Sequence, residues 1–187
     1  MKKLPLLFAL LISALTAFTQ SDYSFEVDHT GDISLGVALG GGGIVGVPLR
    51  YNFGPTSAIE LGAFYRPVLY VDEFENLITS GSVMFVFGPQ LSLGRTFKEH
   101  KRKMNSNGLF LKGGHSFGLY SESLAALGWV LEGFREETPN RSFIFELGAG
   151  LSFRHWVDDP FLPLPDGVAN TTFLIYWKVH WNWFLGK

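Results

Sequence analysis

The hydrophobic positions near the C-terminal end of the chain follow a period of two. At residues 173–183 every odd position is apolar, and three of these positions are tryptophan. The even positions between them include a lysine, a histidine and an asparagine. Side chains of a β-strand point alternately to opposite faces, so the pattern predicts a strand with one apolar and one polar face. Residues 143–153 repeat the pattern, with a glutamate and two glycines among the even positions.

Eight segments share this alternation and the same odd parity. They lie near residues 32–39, 44–53, 57–71, 79–97, 108–120, 124–134, 143–153 and 173–183. A tilted strand needs about 9–11 residues to cross a bilayer, so eight strands with their turns fill the chain. Gly88 and Pro89 interrupt the fourth segment and predict a bulge or a bend. Tyr23, Phe25 and Val27 have odd parity too, and they either extend the first strand or form a separate short one.

The bulk of the side chains indicates which face of the strands is the inside. The predicted fold is all-β, an antiparallel up-and-down barrel of about eight strands, whose interior is just wide enough for side chains. A face with Phe or Trp on nearly every strand would overfill that interior, whereas the other face carries many of the 22 glycines. We therefore expect a transmembrane barrel with the bulky face toward lipid. A soluble barrel with its apolar residues inside is the alternative.

Charged residues fall at inward positions of the predicted barrel. They are five cations and three anions: Arg50, Glu60, Arg66, Lys112, Glu132, Glu146, Arg154 and Lys178. Charges in a dry interior are costly unless they pair and hydrogen-bond. We therefore expect a mutually satisfied network that fills the barrel. A water-filled pore, forming a narrow channel for small molecules, is the alternative.

The N-terminus is typical of an export signal. Lys2 and Lys3 precede an apolar stretch at residues 4–17, and small residues follow. We expect residues 1–20 to be a signal peptide, cleaved between positions 17 and 21, and residues 21–187 to form one barrel domain. The chain has no cysteine, which excludes lipoprotein attachment and disulfides, and its net charge of -2 offers no basic face for nucleic acid.

An even number of strands brings both termini to one end of the barrel, which we expect to face the periplasm. The outer connections are then residues 40–43, 67–79, 121–123 and 156–170, and the inner turns are residues 54–56, 98–107 and 135–140. The outer loops carry Asp158, Asp159 and Asp166, whose oxygens suit Ca²⁺ or a cation bridge to lipopolysaccharide. No spacing matches a dedicated calcium loop, so we expect a solvated acidic loop and no metal site.

The chain resembles the small eight-stranded outer-membrane β-barrel proteins of Gram-negative bacteria. The resemblance covers nearly the whole mature chain and rests on repeating patterns, such as those at residues 87–91 and 145–150, and not on a site motif. It implies export to the periplasm, insertion into the cell outer membrane by the barrel-assembly machinery, and contact with outer-membrane lipids and lipopolysaccharide. It also implies a structural or surface-interacting role with no cofactor; the sequence does not specify the surface partner.

His115 has the parity of the lipid-facing positions, where a polar group is costly. Some outer-membrane lipid A deacylases use a histidine with a serine two residues later on that face, which makes a lipid A-modifying hydrolase the alternative function. Here Phe117 occupies that position and Ser116 points inward. A location near the membrane interface, or a displacement by a bulge at Gly113 and Gly114, is the simpler interpretation. Four tryptophans have outward parity and are expected at the membrane interface: Trp129, Trp177, Trp181 and Trp183.

Overall fold

The computed structural model describes residues 27–71, 77–98, 101–117, 120–156 and 171–186, and the protein is all-β in these ranges. The strands are β1 (Ile33–Gly40), β2 (Val45–Asn52), β3 (Ala58–Val71), β4 (Leu77–Lys98), β5 (Lys103–Phe117), β6 (Tyr120–Arg135), β7 (Thr138–Trp156) and β8 (Thr171–Phe184). Consecutive strands pair antiparallel, and β8 pairs with β1. The predicted closed up-and-down barrel of eight strands is therefore confirmed. The expected signal peptide at residues 1–20 lies outside the described residues.

The alternation of side chains accounts for the two faces of the barrel wall. β1 and β2 both alternate strictly between exposed and buried positions. Large apolar side chains are exposed on the outward face of all eight strands, while the inward face holds glycines, small polar residues, buried charges and an apolar cluster that includes Phe64, Met84 and Tyr176. Because the sheet closes on itself, it has no free edge with unpaired backbone groups. In the described part of the chain, no helix is long and apolar enough to cross a membrane.

The predicted irregularity at Gly88 and Pro89 does not insert a residue into the sheet. The pairing of β3 with β4 runs through both positions in one register, and β4 resumes the same register with β5 at Gln90. Pro89 lacks an N–H group and so removes a donor without adding a residue. The register shifts instead between Ser92 and Gly94. A bulge as the consequence of Gly88 and Pro89 was therefore wrong.

Five strands, β4 to β8, are longer than the sequence pattern predicts. β5 already begins at Lys103, within the predicted turn 98–107, and β6 includes the whole predicted loop 121–123. The predicted turn 135–140 contracts to residues 136–137 between β6 and β7. Asn and Ser in these segments favour turns, and Lys is uncommon in strands, but pairing with neighbouring strands overrides such local preferences. We call the end of the barrel that holds residues 27–32 and 185–186 the terminus end, and the opposite end the loop end.

Residues before β1 close the terminus end of the barrel. Val27 is buried in a small apolar cluster with Met104, Phe134 and Phe184, against which Phe97 also packs. The side chain of Val27 therefore fills the barrel mouth, and the residue does not extend β1. Tyr23 and Phe25, which the sequence pattern grouped with it, lie outside the described residues.

His29 fixes this closing segment in place. Its ring stacks on that of Phe184, with 3.5 Å between the ring centroids and 7° between the planes. Its Nδ1 lies 2.9 Å from Oδ2 of Asp32, and its Nε2 lies 2.8 Å from the carbonyl oxygen of Pro139. One side chain thus connects the segment before β1 to β7 and β8.

A substitution at Gly148 tests how closely β6 and β7 approach each other. A Cβ on Gly148 would lie 2.2 Å from the carbonyl oxygen of Leu127 and 2.8 Å from the Cα of Gly128, its partner on β6. We expect Gly148→Ala to reduce the free energy of unfolding by about 1–3 kcal/mol, because the neighbouring backbone must shift. Denaturant unfolding in detergent micelles, followed by tryptophan fluorescence, measures this change.

Gly133→Ala is the matched control on β6. A Cβ there would lie no closer than 3.4 Å to a neighbouring atom, the side-chain oxygen of Asn105. Alanine should be tolerated, since it also restricts the unfolded chain. Equal destabilisation by the two substitutions would contradict the close approach at Gly148.

Candidate functional site

The interior of the barrel holds a cluster of fully buried charges. Six of the predicted interior charges are at most 2% exposed: Arg50, Glu60, Lys112, Glu132, Glu146 and Lys178. They come from six different strands, and their three cations balance their three anions. The cluster therefore has no formal net charge, which limits the cost of burying it.

Two carboxylates and two ammonium groups alternate at the centre of this cluster. Lys112 Nζ lies 3.0 Å from Glu60 and 3.6 Å from Glu146. Lys178 Nζ lies 3.0 Å from Glu146 and donates a hydrogen bond to Glu60. Each charge therefore faces two opposite charges. The arrangement follows from the register, which places Glu146 directly opposite Lys178 on β8.

A second group in the interior is built on Arg50 and Glu132. Two guanidinium nitrogens of Arg50 donate to the two carboxylate oxygens of Glu132, at 3.0 and 3.3 Å. Gln90 connects the pair, because it donates to Glu132 at 3.3 Å and accepts from Arg50 at 3.2 Å. Ser142 also donates to Glu132, at 2.7 Å. Such a two-bond arrangement fixes the geometry of both side chains.

Three further residues belong to this network, although they were not among the predicted interior charges. Gln90 and Ser142 bind Glu132, and the fully buried His180 places its Nδ1 3.7 Å from Glu60. Their even parity was the available signal, since it marks all three as inward. The prediction selected charged residues only, and hydrogen bonds between neutral and charged side chains cannot be read from a single sequence.

Arg66 lies apart from the central network, toward the loop end. Its Nη2 is 2.8 Å from Oε2 of Glu122, and its side chain is 26% exposed. Glu122 also accepts a hydrogen bond from Ser152. Arg154 lies opposite Glu122 in the register of β6 and β7, but its side chain is outside the described set. Sequence analysis missed Glu122 because it was assigned to the loop 121–123.

A cavity of about 240 Å³ lies beside the Arg66–Glu122 pair. The turn between β1 and β2 forms one side of it, and Leu124 and Tyr176 are among its lining residues. In that turn, Gly41 and Gly42 both have positive φ. A Cβ on Gly42 would lie 2.6 Å from the sulfur of Met84. The turn therefore bends into the barrel and packs over its apolar layer.

His115 lies on the outward face of β5. Its Nδ1 is 3.0 Å from Oγ of Ser123, its partner on β6, and its ring contacts Phe117 edge-on at 4.6 Å between centroids. The registers on both sides of β5 pass through His115 without a shift, so no bulge at Gly113 and Gly114 displaces it. Ser123 was not predicted as a neighbour because it too was assigned to the loop 121–123.

The remaining predicted groups lie on the outward face or outside the described residues. The four tryptophans are exposed on the outward face, at 38–48% of their surface: Trp129, Trp177, Trp181 and Trp183. The acidic candidates Asp158, Asp159 and Asp166 lie outside the described residues. Within the described ranges, no three His, Asp or Glu side chains are grouped so that they would hold a metal ion.

A substitution of Glu60 tests directly how much the buried charge network stabilises the protein. Glu60→Gln leaves two buried lysines with Glu146 as their shared counter-charge. We expect a loss of about 3–5 kcal/mol in the free energy of unfolding, because removing one partner leaves a buried charge uncompensated. Glu137→Gln, in the exposed turn after β6, is the matched control and should change it by less than about 0.5 kcal/mol. A similar small effect of both substitutions in detergent unfolding would refute the role assigned to Glu60.

No protein-family model matches this chain, and no curated protein or solved structure is significantly similar to it. The barrel and its contacts are therefore the basis for a proposed function.

Proposed function

We propose that this protein is a membrane-spanning barrel of the Gram-negative outer membrane with a structural or surface-interacting role. One observation carries the proposal: large apolar side chains are exposed on the outward face of all eight strands, whereas six charged side chains are fully buried in the interior. Large continuous apolar surfaces are rare on soluble monomers. They are required where the wall of a barrel faces the hydrocarbon of a bilayer. A soluble ligand-binding barrel would need the opposite distribution.

The filled interior supports a role that does not involve conduction. An ion crossing the barrel would have to pass the Glu60, Glu146, Lys112 and Lys178 cluster, whose charges are already paired. Separating buried ion pairs is costly. The segment at residues 27–32 and the inward turn at residues 40–43 add packing at the two ends. The protein is accordingly proposed to be a closed barrel and not a channel.

The location of the protein is inferred from the same features. β8 ends at an aromatic residue, Phe184, and its outward face is rich in tryptophan. A final strand of this kind suits recognition by the barrel-assembly machinery, as the resemblance to small outer-membrane barrels implies. Outer-membrane lipids and lipopolysaccharide are then the surroundings of the apolar wall. Loop residues at the loop end are the proposed region for contact with a surface partner.

The membrane proposal predicts heat-dependent mobility and no pore. The unheated protein, extracted from membranes in detergent, should migrate differently in a gel from the boiled protein, because a closed barrel resists unfolding in detergent. Reconstitution into planar bilayers should give no steady unitary conductance, with a known porin as the positive control. Recovery in the soluble fraction without a mobility shift would contradict membrane insertion, and regular conductance steps would contradict a closed interior.

A second candidate function is hydrolysis of a lipid ester on the outward face. The observation that favours it is the 3.0 Å contact between Nδ1 of His115 and Oγ of Ser123. An imidazole at this distance can accept the proton of a serine that attacks an acyl ester. The described residues show no carboxylate hydrogen-bonded to His115, which is the usual orienting group in such sites. A polar pair that satisfies itself at the membrane interface accounts for the contact equally well.

Lipid analysis separates these two roles of the His115–Ser123 pair. If the pair is catalytic, Ser123→Ala and His115→Ala should each lower the release of fatty acid from lipid A by at least about 100-fold, since both groups are needed for the step. Ser121→Ala, two positions away on the same face of β6, should leave it unchanged. Mass spectra of lipid A that do not differ between the unsubstituted protein and an empty membrane would exclude the hydrolase.

A further inference from the structure

At the terminus end, β4 to β7 extend past the apolar part of the outward face. β3 begins at Ala58, opposite Gln90, whereas β4 continues to Lys98. The last large apolar residues on the outward face here are Leu93, Leu109, Leu131 and Phe143. Beyond them the described outward positions carry threonine, asparagine, glycine, proline, lysine or arginine, and none carries an acidic residue. The four extensions therefore form a polar margin below the apolar wall.

Three cations lie directly beside one another in this margin. Lys98 on β4 is the register partner of Lys103 on β5, and Lys103 is the register partner of Arg135 on β6. We call these three residues the cationic row. Cβ atoms of directly opposite residues are about 5 Å apart, and like charges in this arrangement destabilise a sheet. Arg141 on β7 adds a fourth outward cation at the same end, opposite Trp183.

The described residues supply no counter-charge to the cationic row. Of the acidic groups adjacent to the row along the chain, Glu99 lies outside the described residues, and Glu136 and Glu137 are in the turn between β6 and β7. Oε2 of Glu136 lies 3.8 Å from Nε of Arg102, so it faces a different cation. No ion pair within the described ranges involves Lys98, Lys103 or Arg135. A row of adjacent cations of this kind is stabilised by an anion from outside the barrel.

We infer that the cationic row binds the headgroups of anionic phospholipids in the leaflet at the terminus end. This inference rests on the proposed membrane insertion, and it assigns a ligand class to one side of the barrel. The row points sideways from the wall, separated from its last apolar residues by one or two outward positions, and not along the barrel axis toward a soluble partner. In a bilayer this is the level of the headgroups, and Trp181 and Trp183 lie at the same end. Adjacent basic residues at that level attract anionic lipid.

Spin-labelled lipids test the inference in proteoliposomes. The protein is reconstituted in phosphatidylcholine, and traces of spin-labelled phosphatidylglycerol or phosphatidylcholine report how much of each lipid is immobilised at the barrel. We expect an association constant roughly three- to five-fold higher for phosphatidylglycerol. The double substitution K103Q/R135Q should bring the ratio close to one. K101Q/R102Q removes the same charge from the adjacent turn and should preserve the ratio.

The possible outcomes separate this inference from the membrane proposal. Failure of the protein to insert, seen as the absence of heat-dependent mobility, would overturn the membrane proposal itself. Insertion with no preference for phosphatidylglycerol would overturn only the lipid site. Equal loss of preference in both double variants would also overturn it, because the effect would then be one of total charge. Loss of preference in inorganic phosphate, but not in chloride of the same ionic strength, would assign the row to phosphate ions instead.

Discussion

Mutual compensation of buried charges is the condition that the rest of this barrel depends on. Glu60 and Glu146 each contact both Lys112 and Lys178, and Arg50 is bound by Glu132 through two hydrogen bonds. These side chains come from strands that are distant in sequence, so the network forms only when the sheet is closed in its correct register. A slip by one residue would turn each inward charge to the outward face. The polar interior therefore specifies the register as well as filling the space.

The second requirement concerns the size of the side chains on the two faces of the wall, and it begins with the outward face. Its side chains are large and apolar, and the neighbouring strands approach so closely at Gly128 and Gly148 that a methyl group does not fit. Large apolar side chains cover the outside of the wall. The narrow interior holds glycines, paired polar groups and a cluster of apolar side chains that includes Phe64, Met84 and Tyr176. Conduction and ligand storage need free space inside a barrel, whereas an anchoring or supporting role does not.

Much of this architecture can be predicted from the sequence, because it depends on a local period of two. The number of strands, their parity and their closure follow from apolar residues at alternate positions. The ends of the strands do not, since β5 and β6 continue through segments rich in Lys, Asn and Ser whose pairing partners are distant in the chain. Ser123 and Glu122 were missed for that reason. The register shift after Ser92 lies at Gly94, but the sequence pattern predicted the irregularity at Gly88 and Pro89 instead.

His29 joins parts of the protein that are made at different times. It lies 110 residues before Pro139 in sequence, and it stacks on Phe184 in the last strand. Contacts between such distant residues form late, because the long intervening chain must first be brought together. We therefore expect the stack of His29 on Phe184 to form only once β8 lies beside β1. A label on the segment at residues 27–32 that senses the Phe184 ring would accordingly report the final step of assembly, when the two ends of the chain meet.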